Sequence, residues 1–205
     1  MSIGHYDGKC YYVQHFFIIL AGLIQTQQQM KIVKRIVIIL LVLIAIPLIG
    51  ALFIKKDFSI EREVTINRPK DQVFNYVRLL KNQDHFSKWA MEEPDMKKDY
   101  KGTDGTVGFV SAWEGKKMGK GEQEIKQIRD GEQIDYELRF KKPMESVAQA
   151  QMSTQAVDLN STKVKWSFSG NSPYPWNFMN LFMKGSVGKD LQTGLDNLKA
   201  VMEKQ

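Results

Sequence analysis

The clearest pattern in the chain is a long run of apolar residues near its amino terminus. Residues Ile36–Ile54 contain no charged side chain, and basic residues flank the run on both sides. Nineteen residues of helix extend about 28 Å, close to the roughly 30 Å hydrocarbon core of a bilayer. A core helix of a soluble protein normally carries a polar stripe, which this run lacks. The pattern predicts one transmembrane anchor, residues 30–56 with its basic flanks, that meets the membrane through residues 36–54.

A cleaved signal peptide is the alternative interpretation of this run. The basic residues after Met30 resemble a signal n-region, and Ile49-Gly50-Ala51 after Pro47 weakly resembles a cleavage site. The length of the run favours the anchor. Three basic residues precede the run and two follow it, so the positive-inside rule predicts a single-pass membrane protein with its soluble domain outside the cytoplasm. These residues are Lys31, Lys34 and Arg35 before the run, and Lys55 and Lys56 after it.

Residues 1–29 form an extension of different character. Residues 11–25 are apolar but too short to span a bilayer comfortably, and a glutamine-rich stretch follows them. Because Met30 directly precedes the basic residues, we hypothesise that it is the physiological start. A genuine, partly membrane-associated segment is the alternative, and any peptide from residues 1–29 found by mass spectrometry of the native protein would favour it.

After residue 57 the pattern changes to alternation. Phe58, Ile60, Val64 and Ile66 share one face of a predicted strand, which is typical of a half-buried sheet. Apolar residues at helical spacing then predict a helix over residues 69–80, and residues 84–90 fit a second, short one. Further strands are predicted over residues 106–114, 120–128, 133–140, 146–157 and 162–170. A long helix is predicted from Phe178 to the carboxyl terminus.

This order predicts an α+β domain over residues 57–205. A curved antiparallel sheet has one face to cover, and a long terminal helix can lie across it. The predicted architecture is therefore a sheet wrapped around the carboxyl-terminal helix and preceded by one transmembrane helix.

Charge and cysteine content exclude several classes of function. Six of the 29 basic residues and one of the 23 acidic residues lie in residues 1–56, which leaves 23 and 22 in the domain. A nearly neutral domain lacks the basic surface that nucleic acid requires, so we expect no nucleic-acid partner. The single cysteine, Cys10, excludes an intrachain disulfide and a cysteine-based metal site. We expect no metal and no cofactor.

Three stretches carry a resemblance to a known superfamily. They are EREVTINRPKDQVFNYVRLLKNQDHFSKW, the strand VGFVSAWEG and the terminal GKDLQTGLDNLKAVME. Together they resemble the START-like or SRPBCC superfamily, which has the helix-grip fold, and most of all its polyketide cyclase/dehydrase branch, over roughly Phe58–Glu203. The resemblance implies a cavity between the sheet and the last helix that holds apolar small molecules or lipids.

Candidate site residues follow from this expectation. Aromatic residues from several strands, with an alanine that leaves space opposite them, are candidates to line such a cavity, although ordinary core packing explains most aromatic residues. The candidates are Trp89, Trp113, Tyr136, Phe140, Ala150, Trp166 and Phe182. His85 beside Asp84 is a weak candidate for acid–base catalysis, because a surface histidine next to an aspartate is common.

The sequence thus predicts a membrane-anchored protein that binds an apolar small molecule or lipid, and it favours a binding protein over an enzyme without deciding between them. Two alternatives stay open. One is a cyclase- or hydrolase-like enzyme that uses His85 and nearby carboxylates, and the other is a protein-interaction module of the co-chaperone kind.

Overall fold

The computed structural model describes the backbone of residues 8–204 and the side chains of residues 28–204. Residues 1–7 and 205, and the side chains of residues 8–27, lie outside the described part of the chain. The chain divides into two compact units, one ending at Gly50 and the other beginning at Ala51. The second unit begins six residues earlier than the sequence boundary at residue 57.

Helix α1, Gly8–Ala51, forms the described part of the first unit, and only its last residue belongs to the second. Its segment Gln28–Ala51 has 24 residues and a mean hydropathy of 2.8, which is long and apolar enough to cross a membrane. Pro47 lies within the helix. The helix ends at Ala51, whereas the apolar run of the sequence continues to Ile54.

The second unit contains seven strands and three α-helices in the order expected of an α+β domain. In chain order its elements are β1 (Asp57–Ile66), α2 (Lys70–Arg78), a 3-10 helix (Leu80–His85), α3 (Lys88–Glu92), β2 (Lys97–Lys101), β3 (Val110–Glu114), β4 (Lys120–Arg129), β5 (Gln133–Lys142), β6 (Ser146–Ala156), β7 (Thr162–Asn171), a second 3-10 helix (Trp176–Met179) and α4 (Asn180–Lys204).

The strands form one antiparallel sheet with the order β1-β7-β6-β5-β4-β3-β2. Strands β2 to β7 follow one another as hairpins, and β1 closes the order by pairing with β7. The hairpin between β4 and β5 turns at Gly131, whose φ of 74° is one that glycine adopts without strain.

The core lies between this sheet and the helices that cover its concave face. Helix α2 buries Val73, Phe74 and Val77, and α4 buries residues at spacings of four, three and four: Leu191, Leu195, Leu198 and Met202. These spacings place the residues on one stripe of each helix, as predicted. The predicted fold class, a curved antiparallel sheet around a long terminal helix, is confirmed.

Candidate functional site

The concave face of the sheet is built of rows of side chains that the strand register aligns. Phe58 on β1 pairs with Gly170 on β7, Gly170 pairs with Ala148 on β6, and Ala148 pairs with Leu138 on β5. Directly paired residues of antiparallel strands project to the same face. We call these four residues the outer row. It lies at the end of the sheet where β1 begins and β7 ends.

The next row lies one step further into the domain. It consists of Ile60, Phe168, Ala150 and Tyr136, which pair across the same four strands, and we call it the inner row. Three of its members are buried and Phe168 is half-buried. In the outer row only Ala148 is buried. The concave face is therefore closed over the inner row and partly open over the outer row.

Trp166 closes the inner end of this face. Its side chain is 4% exposed, and its ring meets Phe86 at 5.8 Å and Trp89 at 6.0 Å, both edge to face. A Cβ atom on Gly194 of α4 would lie 2.8 Å from the indole. The Trp166 side chain thus fills the space between β7 and α4 at the point where Gly194 faces it. Of the predicted cavity residues, Trp166 and Tyr136 are core residues and Trp89 is half-buried beside them.

Trp113 and Phe140 lie at the open end. Their rings meet edge to face at 5.8 Å, and both side chains are half-buried. Gly121, which pairs with both residues, lets the indole lie against the strand, because a Cβ there would be 2.5 Å from the ring. The indole Nε1 donates to the carbonyl of Met118 at 3.3 Å. These two predicted cavity residues therefore lie together at the half-buried end of the concave face.

Glu93 holds the turn beside Trp113. Its carboxylate accepts hydrogen bonds from the backbone amides of Lys116, Lys117 and Met118. These amide bonds, that from Met118 first, lower the pKa of Glu93. The interaction fixes the β3–β4 turn that carries the acceptor of the Trp113 indole.

The structure places Phe182, a predicted cavity residue, on an exposed side of α4. The side chain is 67% exposed, like its neighbour Leu181, on the side of α4 that faces away from the sheet. Met183 and Val187 pack against the core instead. Met183, Val187 and Leu191 follow one another at intervals of four residues, so they lie on the same face of the helix. Phe182 falls outside this spacing, and the sequence therefore carries a signal that distinguishes it from the buried residues.

The polar groups of the inner row are engaged within the core. Tyr136 donates its hydroxyl to the carbonyl of Val77 at 3.4 Å, and burial raises its pKa. The side chain of Gln83 is also buried. Arg62 is a half-buried cation that sequence alternation places on the concave face of β1, where its guanidinium lies against Gly188 of α4. It was not among the predicted site residues.

The structure does not assemble His85 and Asp84 into an acid–base pair. His85 is exposed. The Asp84 carboxylate is engaged by Lys98 at 2.5 Å and accepts a hydrogen bond from the Tyr100 hydroxyl at 3.1 Å. Burial and the charge of Asp84 raise the pKa of Tyr100 to about 12.

The paired carboxylates Glu122 and Glu124 lie on the convex face. Arg139 reaches both at 2.7 Å, and Lys141 adds a contact to Glu122 at 2.8 Å. Hydrogen bonds from Lys141 and Arg139 lower the pKa of Glu122, and the hydrogen bond from Arg139 lowers the pKa of Glu124. Two carboxylates held ionised by basic neighbours form a charged surface network and are not poised for proton transfer.

A curved antiparallel sheet packed against a long carboxyl-terminal helix is the arrangement of the START-like, or SRPBCC, superfamily. A sequence model of the "Polyketide cyclase / dehydrase and lipid transport" family matches residues 57–203. The chain therefore belongs to this family.

Solved structures share the fold at low sequence identity. Norcoclaurine synthase from Thalictrum flavum, solved in complex with dopamine and hydroxybenzaldehyde, is 11% identical with a TM-score of 0.56, covering 73% of this chain and 88% of its own. Ara h 8.0201 is 14% identical with a TM-score of 0.53, covering 73% and 99%. A protein from Nitrosospira multiformis is 18% identical with a TM-score of 0.52, covering 71% and 96%. The search of curated proteins returned no match.

Proposed function

We propose that this protein is a membrane-anchored binding protein for an apolar small molecule or lipid. The ligand lies in the groove between the outer row and the first half of α4. The observation that carries the proposal is the gradient of burial along the concave face, from the filled level of Trp166 to the half-buried Phe58 and Leu138. Partly exposed apolar side chains on a concave surface are what an apolar ligand covers.

The chemistry of the open end favours an apolar ligand. The half-buried side chains there are aromatic or aliphatic, namely Phe58, Trp113, Leu138, Phe140 and Met183. The family description includes lipid transport, and norcoclaurine synthase holds two small aromatic compounds in a related fold. Both facts support a ligand of this kind.

The anchor is residues 30–56, of which the apolar run 36–54 meets the bilayer, and the binding domain is residues 57–205. The apolar composition of α1 and its basic flanks support this division. The excess of basic residues before the run supports a domain outside the cytoplasm. Met30 as the start of the native chain is part of the same proposal.

The enzyme alternative needs His85 paired with a carboxylate, but Asp84 is engaged by Lys98 and Tyr100 and His85 is exposed. We therefore expect His85→Ala to leave ligand binding unchanged. A co-chaperone-like module is distinguished by a protein partner and an empty groove.

Native mass spectrometry of the full chain, released from a mild detergent, tests the proposal. The wild type should retain an apolar compound that solvent extraction identifies. Ala148→Phe places a ring in the outer row and should lower the occupancy at least fivefold. Ala156→Phe is the matched control, because Ala156 lies on the same strand and face but is exposed at the far end.

Equal occupancy in the wild type and Ala148→Phe would overturn the groove as the binding site. An empty wild type would overturn the proposed function. If Ala148→Phe fails to fold, Leu138→Trp is the second variant, because Leu138 pairs with Ala148 and is already half-buried. The larger side chain fills the groove over the outer row and should lower the occupancy in the same way.

A further inference from the structure

Five large apolar side chains of the second unit are exposed close to its amino-terminal segment. They are Leu52 at 67%, Phe53 at 85%, Trp176 at 47%, Leu181 at 64% and Phe182 at 67%. We call this set the end patch. Contiguous exposed apolar surface of this kind marks an interaction site.

Hydrogen bonds bring the two halves of the end patch together. Asn177 is 1% exposed, and its Nδ2 donates to the carbonyls of Ala51 and Ile54, each at 2.7 Å. Asn180 donates to the carbonyls of Lys55 and Lys56, each at 3.1 Å. The segment that carries Leu52 and Phe53 is therefore fixed beside the segment that carries Trp176, Leu181 and Phe182.

The apolar run that reaches Ile54 indicates that a lipid bilayer covers the end patch. Leu52 and Phe53 belong to this run, and no polar residue separates them from the candidate membrane span. If the run is in a bilayer, residues 52–54 lie at its boundary, and Asn177 lies within hydrogen-bonding distance of them. Tryptophan favours that boundary, and Lys55, Lys56 and Lys184 add cations beside lipid head groups.

We propose that the end patch rests in the interfacial region of the bilayer that α1 crosses. This inference rests on the proposed anchor. It gives the exposed side chain of Phe182 a role as a membrane contact in place of the predicted role in the cavity.

The position of the end patch deepens the proposed function. The outer row lies at the same end of the sheet, since Phe58 follows Asp57 and Gly170 precedes Asn171, the pair that begins β1 and ends β7. Met183, which packs against the core, directly follows Phe182. A lipid or other membrane-dissolved compound then passes between bilayer and groove without crossing water. The ligand class this surface selects is one that partitions into membranes.

Site-directed spin labelling tests the patch. In a Cys10→Ser full chain, a nitroxide is attached at Phe182→Cys, Leu43→Cys or Leu159→Cys, and the protein is reconstituted in phosphatidylcholine–phosphatidylglycerol vesicles. Leu43 lies within the candidate span, and Leu159 is a 91% exposed side chain in the β6–β7 turn, at the opposite end of β7. The collision rates of each nitroxide with oxygen and with a water-soluble nickel chelate report its depth.

We expect position 182 to favour oxygen over nickel, as position 43 does, and position 159 to favour nickel. If position 43 is deep and position 182 behaves like position 159, the end patch faces water and this inference is overturned while the anchor stands. If position 43 itself is open to nickel, the anchor fails and the inference fails with it.

Discussion

Asn177→Ala should loosen the segment that joins the apolar run to the domain. The asparagine is buried, and its two hydrogen bonds of 2.7 Å satisfy carbonyls at the end of α1 and in the turn after it. Each bond contributes about 1 kcal/mol net, so the substitution costs local stability of about 2 kcal/mol. Since about 1.4 kcal/mol is a factor of ten in an equilibrium constant, the open population of residues 51–56 should rise about 30-fold.

Trypsin reports this opening, because Lys55 and Lys56 lie within the fixed segment. Cleavage there releases the domain from vesicles, and the released fraction is measured after sedimentation. When opening and closing are fast relative to cleavage, the release rate follows the open population. We expect release from Asn177→Ala to be roughly 10- to 100-fold faster than from the wild type.

Asn171→Ala is the matched control for this experiment. Asn171 is an exposed asparagine at the same end of the sheet, and within the described part of the chain its side chain bonds only the exposed side chain of Asp57. Its substitution should change the release rate less than about twofold. Equal release from Asn177→Ala and the wild type would refute the reasoning that the Asn177 side chain holds this segment. Faster cleavage at sites throughout the domain would instead indicate global unfolding.

Further predictions concern the titrating tyrosine, the histidine and the outer row. The pKa of Tyr100 is raised to about 12, so in the window from about 10 to 12 the unfolded state loses the proton first and stability falls as the pH rises. Urea unfolding at two pH values in this window should show a loss of stability in the wild type and a smaller loss in Tyr100→Phe. An equal loss in the two proteins would contradict the assignment to Tyr100. His85→Ala should leave ligand affinity within about twofold, because the side chain is exposed. Ala148→Phe should lower ligand occupancy, and Ala156→Phe should not.

Most of the sheet was predictable because its strands alternate. Residues such as Ile134, Tyr136 and Leu138 mark one face at every second position, and the turn at Asp130-Gly131 sets the hairpin that carries them. Strand β2 was missed because Lys97–Lys101 contains a single apolar residue, Tyr100. It becomes a strand by pairing with β3, which is a tertiary effect that local pattern does not contain.

The candidate site was less predictable than the fold. Aromatic content identifies Trp113 and Trp166 equally, yet Trp113 is half-buried and Trp166 fills the core, because burial depends on which helix covers each row. The aromatic pattern and the family resemblance predict Phe182 as a cavity residue, although the spacing of Leu191 and Leu195 places Val187 and Met183 on the buried stripe. Asn177 carries no sequence signal of its role, since its partners are backbone carbonyls more than a hundred residues away.

The central claim is that an apolar ligand occupies the groove over the outer row. The most direct test is photolabelling of the full chain in membranes with a diazirine fatty acid, followed by peptide mapping of the domain. The account predicts label on peptides that contain the outer-row residues Leu138, Ala148 and Gly170, with little on the β6–β7 turn around Leu159. Label spread evenly over the exposed apolar residues of the domain, with none concentrated on the outer row, would contradict it.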